Sequence, residues 1–322
     1  MLTIALLTDA LEALPLHAAL SWCAERGITG VELGVGGYSP APHLDLERLL
    51  SSQAERDQFG KRLDAHGIDL VALNASGNPL HPDATVAQAH DRALRGAVEL
   101  AGMLGISRVV AMSGCPGGPG GGGWPVFAGG AWLPDMENLW DWQWEHVIAP
   151  YWREISEWAA AAAPDANICL ELHPGTSIYN AASFEQLRGV CGKNVKVNLD
   201  PSHFWWQGID PVTTVRALGD NVGFVHGKDT IVHPERVALH GMLDFRWPAD
   251  ADTMPWHFCA VGRGRPLAEW RELISALREA GYDGPVSIEH EDPTLTAEEG
   301  VIASLEGLLA VIDETSRVPA TS

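Results

Sequence analysis

Basic residues are scarce in this chain. Its 322 residues carry 21 Lys+Arg against 42 Asp+Glu, a formal net charge of −21. A nucleic-acid backbone is gripped by clustered Lys and Arg, and no basic run occurs in the sequence, which excludes nucleic acid as a partner. Long apolar runs are missing as well. The opening MLTIALLTDA has no basic leader region, and Asp9 interrupts an apolar stretch too short for a signal or a membrane span. The 5 cysteines (Cys23, Cys115, Cys169, Cys191 and Cys259) show no Cys-x-x-Cys spacing and read as reduced thiols of a cytoplasmic protein. Two glycine signatures are also lacking. LLTDALEALP, after the first apolar run, has no dinucleotide fingerprint, and CPGGPGGGGWP (115–125) has no Gly-Lys-Ser/Thr ending to make it a phosphate loop.

What is present is ordinary globular composition, 46% hydrophobic and 20% charged. A chain of this length buries enough surface to fold without covalent staples. Short apolar runs at 3–8, 30–35, 68–74, 107–113, 167–173, 195–200, 222–229 and 285–291 alternate with segments of helical period. The helical segments cover about 12–26, 44–65, 83–104, 137–163, 180–190, 209–219, 266–280 and 296–315. The runs are apolar on both faces, as a parallel sheet covered by helices requires. Eight strand–helix units predict an α/β fold, a single (β/α)8 barrel over residues 1–315 with 316–322 as a C-terminal tail. Two connections are long, 114–136 after the fourth strand and 230–265 after the seventh. Both leave strand C-termini, the face on which barrel enzymes build their sites.

Ionisable groups close four successive runs: Glu171 in CLELH, Asp200 in VNLDPSH, His226 in FVHGKD and Glu289 in SIEHED. Barrel topology brings those ends to one mouth. Three crowded carboxylates repel unless a cation compensates them, so the four residues form a candidate metal site. Three carboxylates and one imidazole suit Mn²⁺ or Mg²⁺ best, with Co²⁺, Fe²⁺ and Zn²⁺ also compatible.

The segments ELHPG, NLDPSHFWWQGIDP, VHGKDT and GYDGPVSIEHED resemble the xylose-isomerase-like barrel family of sugar and sugar-phosphate isomerases and epimerases, over essentially the whole chain. The resemblance implies one divalent metal on Glu171, Asp200, His226 and Glu289, with the two glutamates flanking the carbon that loses its proton. Such chemistry is sound on its own terms, because a Lewis acid at the developing enediolate lowers the barrier to removing the adjacent proton. It also implies that His203, in Asp200-x-x-His203, binds a substrate oxygen. DNA-repair endonucleases with three zinc ions share the superfamily. Their extra ligands have no counterpart here: the third strand ends in Asn74, the fourth in Ser113, and the later loop reads LDF (243–245).

The fourth loop, SGCPGG followed by WQWEHVIAPYW, is similar to the metal subunits of C-glycoside deglycosidases and to 3-keto-glycoside lyases. The expected reaction is therefore proton abstraction next to a carbonyl of a sugar or keto-sugar, ending in isomerisation or epimerisation. The alternatives are β-elimination from a 3-keto-glycoside and an inosose-type dehydration. A non-enzymatic alternative is a metal-dependent sugar-binding partner subunit. The partner is a small sugar or glycoside, with no membrane and no nucleic acid, and the resemblance points to an oligomer and allows a small second subunit. Lys228, on the same side of its strand as His226, is a candidate oxyanion stabiliser, with a surface salt bridge as the competing account. Asn74 and His81 can hydrogen-bond sugar hydroxyls or simply build a turn. Seven of the 13 Trp (Trp124, Trp132, Trp140, Trp142, Trp144, Trp152 and Trp158) fall in one stretch. Trp124 and its neighbours can line a sugar-stacking wall beneath a mobile glycine-rich lid, or pack the core. His146, from the same helix, is a candidate catalytic group.

Overall fold

A computed structural model describes residues 2–129, 133–244 and 250–315, with side chains followed to Ile312. The expected tail, 316–322, lies outside the described residues, as do Trp132 and Phe245. The strands are β1 (Ile4–Leu7), β2 (Gly30–Gly34), β3 (Asp69–Asn74), β4 (Arg108–Met112), β5 (Asn167–Glu171), β6 (Val195–Leu199), β7 (Val222–Gly227), β8 (Asp229–Val232), β9 (Trp256–Cys259) and β10 (Val286–Ile288). Eight of them close a barrel in the order β1-β10-β7-β6-β5-β4-β3-β2, with parallel pairing throughout. The chain is a single (β/α)8 barrel.

Local sequence explains where the surrounding helices start and stop. Asp83 caps Ala84–Leu104 by accepting from Thr85 and Val86 N–H, and Gly105 ends it in the left-handed region at φ 70°. Asp210 caps Pro211–Leu218, where Pro at the first helical turn loses no hydrogen bond. The helix expected over 44–65 is two helices, Leu46–Ser51 and Gln53–His66. Ser52 is extended between them and accepts from Glu55 N–H as the cap of the second. The one expected over 137–163 begins at Pro134 and is interrupted by a π-helical turn at Trp144–Ile148.

Alternation inside the barrel builds two layers. Ala72, Val110, Cys169 and Phe224 form an apolar plug. Two residues further along the same strands come Asn74, Met112, Glu171 and His226, because period two returns each side chain to the interior. The apolar plug therefore floors a layer at the C-terminal mouth that is polar except for Met112, and the Phe224 and His226 rings touch edge to face at 5.8 Å between centroids.

The connection after β7 is not a simple loop. β8 and β9 pair as an antiparallel ribbon, Asp229 opposite Cys259 through Val232 opposite Trp256. Asp229 ties its return to the barrel, accepting from Thr230 N–H (2.7 Å), Gly262 N–H (2.8 Å), Arg265 N–H (3.1 Å) and Trp270 Nε1 (3.0 Å). The chain passes so close at Gly264 that a Cβ there would lie 2.2 Å from the Thr230 carbonyl oxygen. Among the described residues no helix is long and apolar enough to cross a membrane.

Candidate metal centre

The ends of β5, β6 and β7 and the residue after β10 bring Glu171, Asp200, His226 and Glu289 together, each offering one ligand atom within 4.8 Å of the others. β10 and β5 flank the β7–β6 pair, so the two glutamates enter from either side of His226 and Asp200. His226 Nδ1 lies 3.1 Å from Glu289 Oε2 and 3.3 Å from Glu171 Oε2. Asp200 Oδ1 accepts from Ser202 N–H at 2.9 Å. Its Oδ2 is buried 3.0 Å from Lys228 Nζ, yet no well-directed hydrogen bond reaches it.

Three carboxylates, one imidazole nitrogen and an under-satisfied buried oxygen fit a divalent cation. Glu171, Asp200, His226 and Glu289 are the residues that would hold it. Exposure separates the carboxylates: the Glu289 side chain is 18% exposed, against 3% for Glu171 and 0% for Asp200.

The charges are mutually tuned. Burial pushes the Glu171 carboxyl up, but hydrogen bonds with His203 and His226 outweigh it and hold the group well below the usual carboxylate range. Burial likewise raises Glu289, and the Lys228 and His226 charges bring it down to about 2. Burial disfavours the cationic forms of His226 and Lys228, yet the surrounding carboxylates, Glu289 and Glu32 for His226 and Asp200 and Glu289 for Lys228, drive both well above their ordinary values. Glu291 is raised, chiefly by burial.

His203 joins the cluster, with Nε2 2.8 Å from Glu171 Oε1 and 3.4 Å from Asp200 Oδ2. Its ring packs against His173 (centroids 4.2 Å apart) and against the edge of Phe258 (5.2 Å). His173 donates from Nδ1 to the Pro174 carbonyl, and burial and the neighbouring His203 push it down to about 3. Lys228 is 2% exposed, and its Nζ lies 2.6 Å from Glu289 Oε2 and 2.7 Å from Glu291 Oε2. It stacks over Phe258 at 4.6 Å. The ribbon thus lays Phe258 against the cluster, with Trp256 behind it and Trp206 stacked on Trp256 at 4.4 Å and 6°.

Other expected site residues lie elsewhere. Asn74 is turned inward: its amide donates to Glu32 Oε1 at 2.7 Å, and its carbonyl accepts from Ser76 N–H. His81 Nδ1 accepts from Asp83 N–H, a turn-building role. Trp124 is 83% exposed. His146 is exposed and tilts against Trp142 at 5.5 Å, and no contact among the described residues joins it to the carboxylates. The other described Trp residues of the stretch pack structurally. Trp152 is fully buried and donates to the Ser113 carbonyl, Trp158 takes Arg95 on its face, and Trp140 stacks on Trp144. Among the described residues, the aromatic wall beside the centre comes from β9 and Trp206, because the antiparallel ribbon lies against His203 and Lys228.

Three contributors were not expected from the sequence. Glu32, on β2, accepts from Asn74 and Ser287 and faces His226 Nε2. Asn198, on β6, lies 3.2 Å from His226 Nδ1 and donates toward Glu171 Oε2 at 3.3 Å. Glu291 holds the third side of Lys228. The glycine-rich loop is pinned at its base, where Asn78 bonds both the N–H and the carbonyl of Cys115. Gln143 Nε2 donates to the carbonyls of Pro116, Gly117 and Val126.

A family model described as xylose isomerase-like TIM barrel matches residues 20–311. The chain is 38% identical over 310 residues to the uncharacterized protein YfiH of Bacillus subtilis (strain 168), covering 95% of this chain and 98% of that one. Among solved structures, the IolI protein with a bound zinc atom matches with a TM-score of 0.65 at 20% identity, covering 98% of this chain and 100% of the other. The 3-keto-D-glucoside 4-epimerase of E. coli matches with a TM-score of 0.63 at 14% identity, covering 97% and 100%. At these identities the two structures share the fold with this chain.

Proposed function

We propose that this chain, which belongs to the xylose isomerase-like TIM barrel family, is a divalent-metal-dependent enzyme that removes the proton next to a carbonyl of a sugar or keto-sugar and acts as an isomerase or epimerase. One observation carries the reading: three carboxylates and an imidazole converge at the barrel mouth with no more than 4.8 Å between their ligand atoms. What a bound cation supplies is Lewis acidity at the carbonyl, which makes the neighbouring C–H acidic enough for a carboxylate to deprotonate.

The remaining work falls to side chains. Glu289 is the base of this proposal, since it is the carboxylate of the cluster that solvent, and hence substrate, reaches. Glu171, across the cluster, is the partner that returns the proton; its Oε1 already exchanges a hydrogen bond with His203 Nε2 at 2.8 Å. His203 then orients a substrate oxygen, and the Lys228 ammonium balances the charge of Glu289 and Asp200. Phe258 and Trp256 keep bulk water from that side of the centre. Lys228 is shared among three carboxylates, which leaves it a poor receptor for a phosphate and favours an uncharged sugar. Support for sugar chemistry also comes from the E. coli epimerase of the same fold, and support for a metal from the zinc-bound IolI protein.

The test incubates Mn²⁺-loaded protein in D₂O with ketohexoses and with 3-keto-glucosides, followed by ¹H NMR. Deuterium at the carbon beside the carbonyl, with the substituents retained, is the expected result, and Glu289→Gln should abolish it. Release of an aglycone would move the reading to β-elimination. No exchange with any substrate from a metal-loaded protein would overturn it.

A further inference from the structure

Glu32 takes no part in the chemistry proposed above, yet it is fully buried inside the barrel. Burying a carboxylate in a parallel barrel is costly unless its oxygens are engaged. They are engaged on three sides. Oε1 accepts from Asn74 Nδ2 at 2.7 Å, Oε2 accepts from Ser287 Oγ at 2.7 Å, and His226 Nε2 lies 3.2 Å from Oε2 and 3.3 Å from Oε1. With both oxygens already accepting from an amide and a hydroxyl, Glu32 meets His226 as an acceptor, so the imidazole nitrogen on that side carries a hydrogen. The other nitrogen, Nδ1, is the one turned to Glu171 and Glu289, at 3.3 and 3.1 Å.

We infer that Glu32 is a positioning residue that fixes the His226 ring with a hydrogen on Nε2 and so turns Nδ1 toward Glu171 and Glu289 as the atom that would give up its proton to a cation. Asn74 and Ser287 in turn hold Glu32 from β3 and β10, so the ring is aimed by three strands. The inference rests on the metal reading above. A histidine whose far nitrogen donates to a carboxylate is both oriented and made more basic toward a cation, and loss of such a partner weakens metal affinity by about 10–100-fold.

The experiment compares wild type, Glu32→Gln and Ser287→Ala by calorimetric titration with Mn²⁺ and by ¹⁵N NMR of the imidazoles in Zn²⁺-loaded protein. Expected are wild-type spectra with His226 bound through Nδ1 and protonated at Nε2, Mn²⁺ affinity about 10–100-fold weaker in Glu32→Gln, and a smaller loss in Ser287→Ala. Wild-type affinity in folded Glu32→Gln, with an unchanged His226 spectrum, overturns the inference and leaves the metal reading standing. Should Glu32→Gln fail to fold, Ser287→Ala decides, and wild-type affinity and tautomer there overturn it equally. A wild-type protein that binds no Mn²⁺ overturns the metal reading and this inference together.

Discussion

Replacing Lys228 by Met removes the cation, whose Nζ lies over the Phe258 ring at 4.6 Å, while keeping an unbranched side chain of similar length. The ammonium lies 2.6, 2.7 and 3.0 Å from Glu289, Glu291 and Asp200, and the side chain is 2% exposed. Two unit charges 4 Å apart at an effective dielectric near 20 attract by ~4 kcal/mol. The restored hydration of an ammonium opposes that gain, and removing one partner of a buried pair leaves a net loss of about 3–5 kcal/mol. Glu289 shows the same stabilising sign. Burial raises its carboxyl, and Lys228 with His226 brings it from an ordinary 4.5 to about 2. At 1.36 kcal/mol per pH unit that net difference is worth roughly 3 kcal/mol, of which Lys228 supplies only a share beside His226. Because the folded-state value is depressed, the contribution is complete above pH 4.5 and is lost only as pH falls toward 2, so it is fully available for removal at pH 7.5.

Metal-free Lys228→Met should therefore melt roughly 5–10 °C below wild type in EDTA, taking about 2 °C or slightly more per kcal/mol for a chain of this size. Lys228 shares Asp200 and Glu289 with the proposed metal, so the variant should also bind Mn²⁺ more tightly. Saturating Mn²⁺ should then raise its melting temperature by more than it raises that of wild type, by ordinary linkage. Calorimetry with and without Mn²⁺ measures both effects. A metal-free variant that melts within about 1 °C of wild type would refute the electrostatic argument, as would equal stabilisation of both proteins by Mn²⁺.

Glu171→Gln and Glu289→Gln should each lose stoichiometric metal by elemental analysis while keeping their circular dichroism, and full retention in both would end the ligand assignment. Gln143→Leu leaves the carbonyls of Pro116, Gly117 and Val126 without their shared donor; about 1–3 kcal/mol of local stability should go, seen as faster thermolysin cleavage within 115–126. In Asp292, burial raises the carboxyl, but Thr294, the Ala260 N–H and Arg263 outweigh it and hold it below its ordinary 3.8. Its stabilisation is present above pH 3.8 and is lost as pH falls below that value, so urea midpoints of Asp292→Asn should converge on wild type as pH drops from 6 to 3 and diverge again on return.

The barrel was legible because its strands are apolar runs of the right length, separated by helical periods with caps. Glu171, Asp200, His226 and Glu289 were legible because each closes such a run, and topology alone then brings run ends together. The ribbon was not. DTIV and WHFC are too short and too mixed to stand out, and the register that pairs them joins residues 24 apart or more. The Trp excess left two readings open, because a local surplus says nothing about which face of a helix it occupies; most of the described rings pack against their own helix or the core. Glu32 is the most instructive case. In GVELGV a lone acid among apolar residues looks like a surface position, and its partners Asn74, His226 and Ser287 lie 42, 194 and 255 residues away. Period two applied from the mouth inward removes that obstacle. Asn198 sits two residues before Asp200, and Asn74 two after the plug residue Ala72, so both must face the interior. β2 places Glu32 opposite Ala72 in register. A charge at that depth has no water to face, so it must be answered by other interior side chains. Within a parallel barrel, then, a polar residue inside a run reports on the layer that supports the site, and one at the end of a run reports on the site itself.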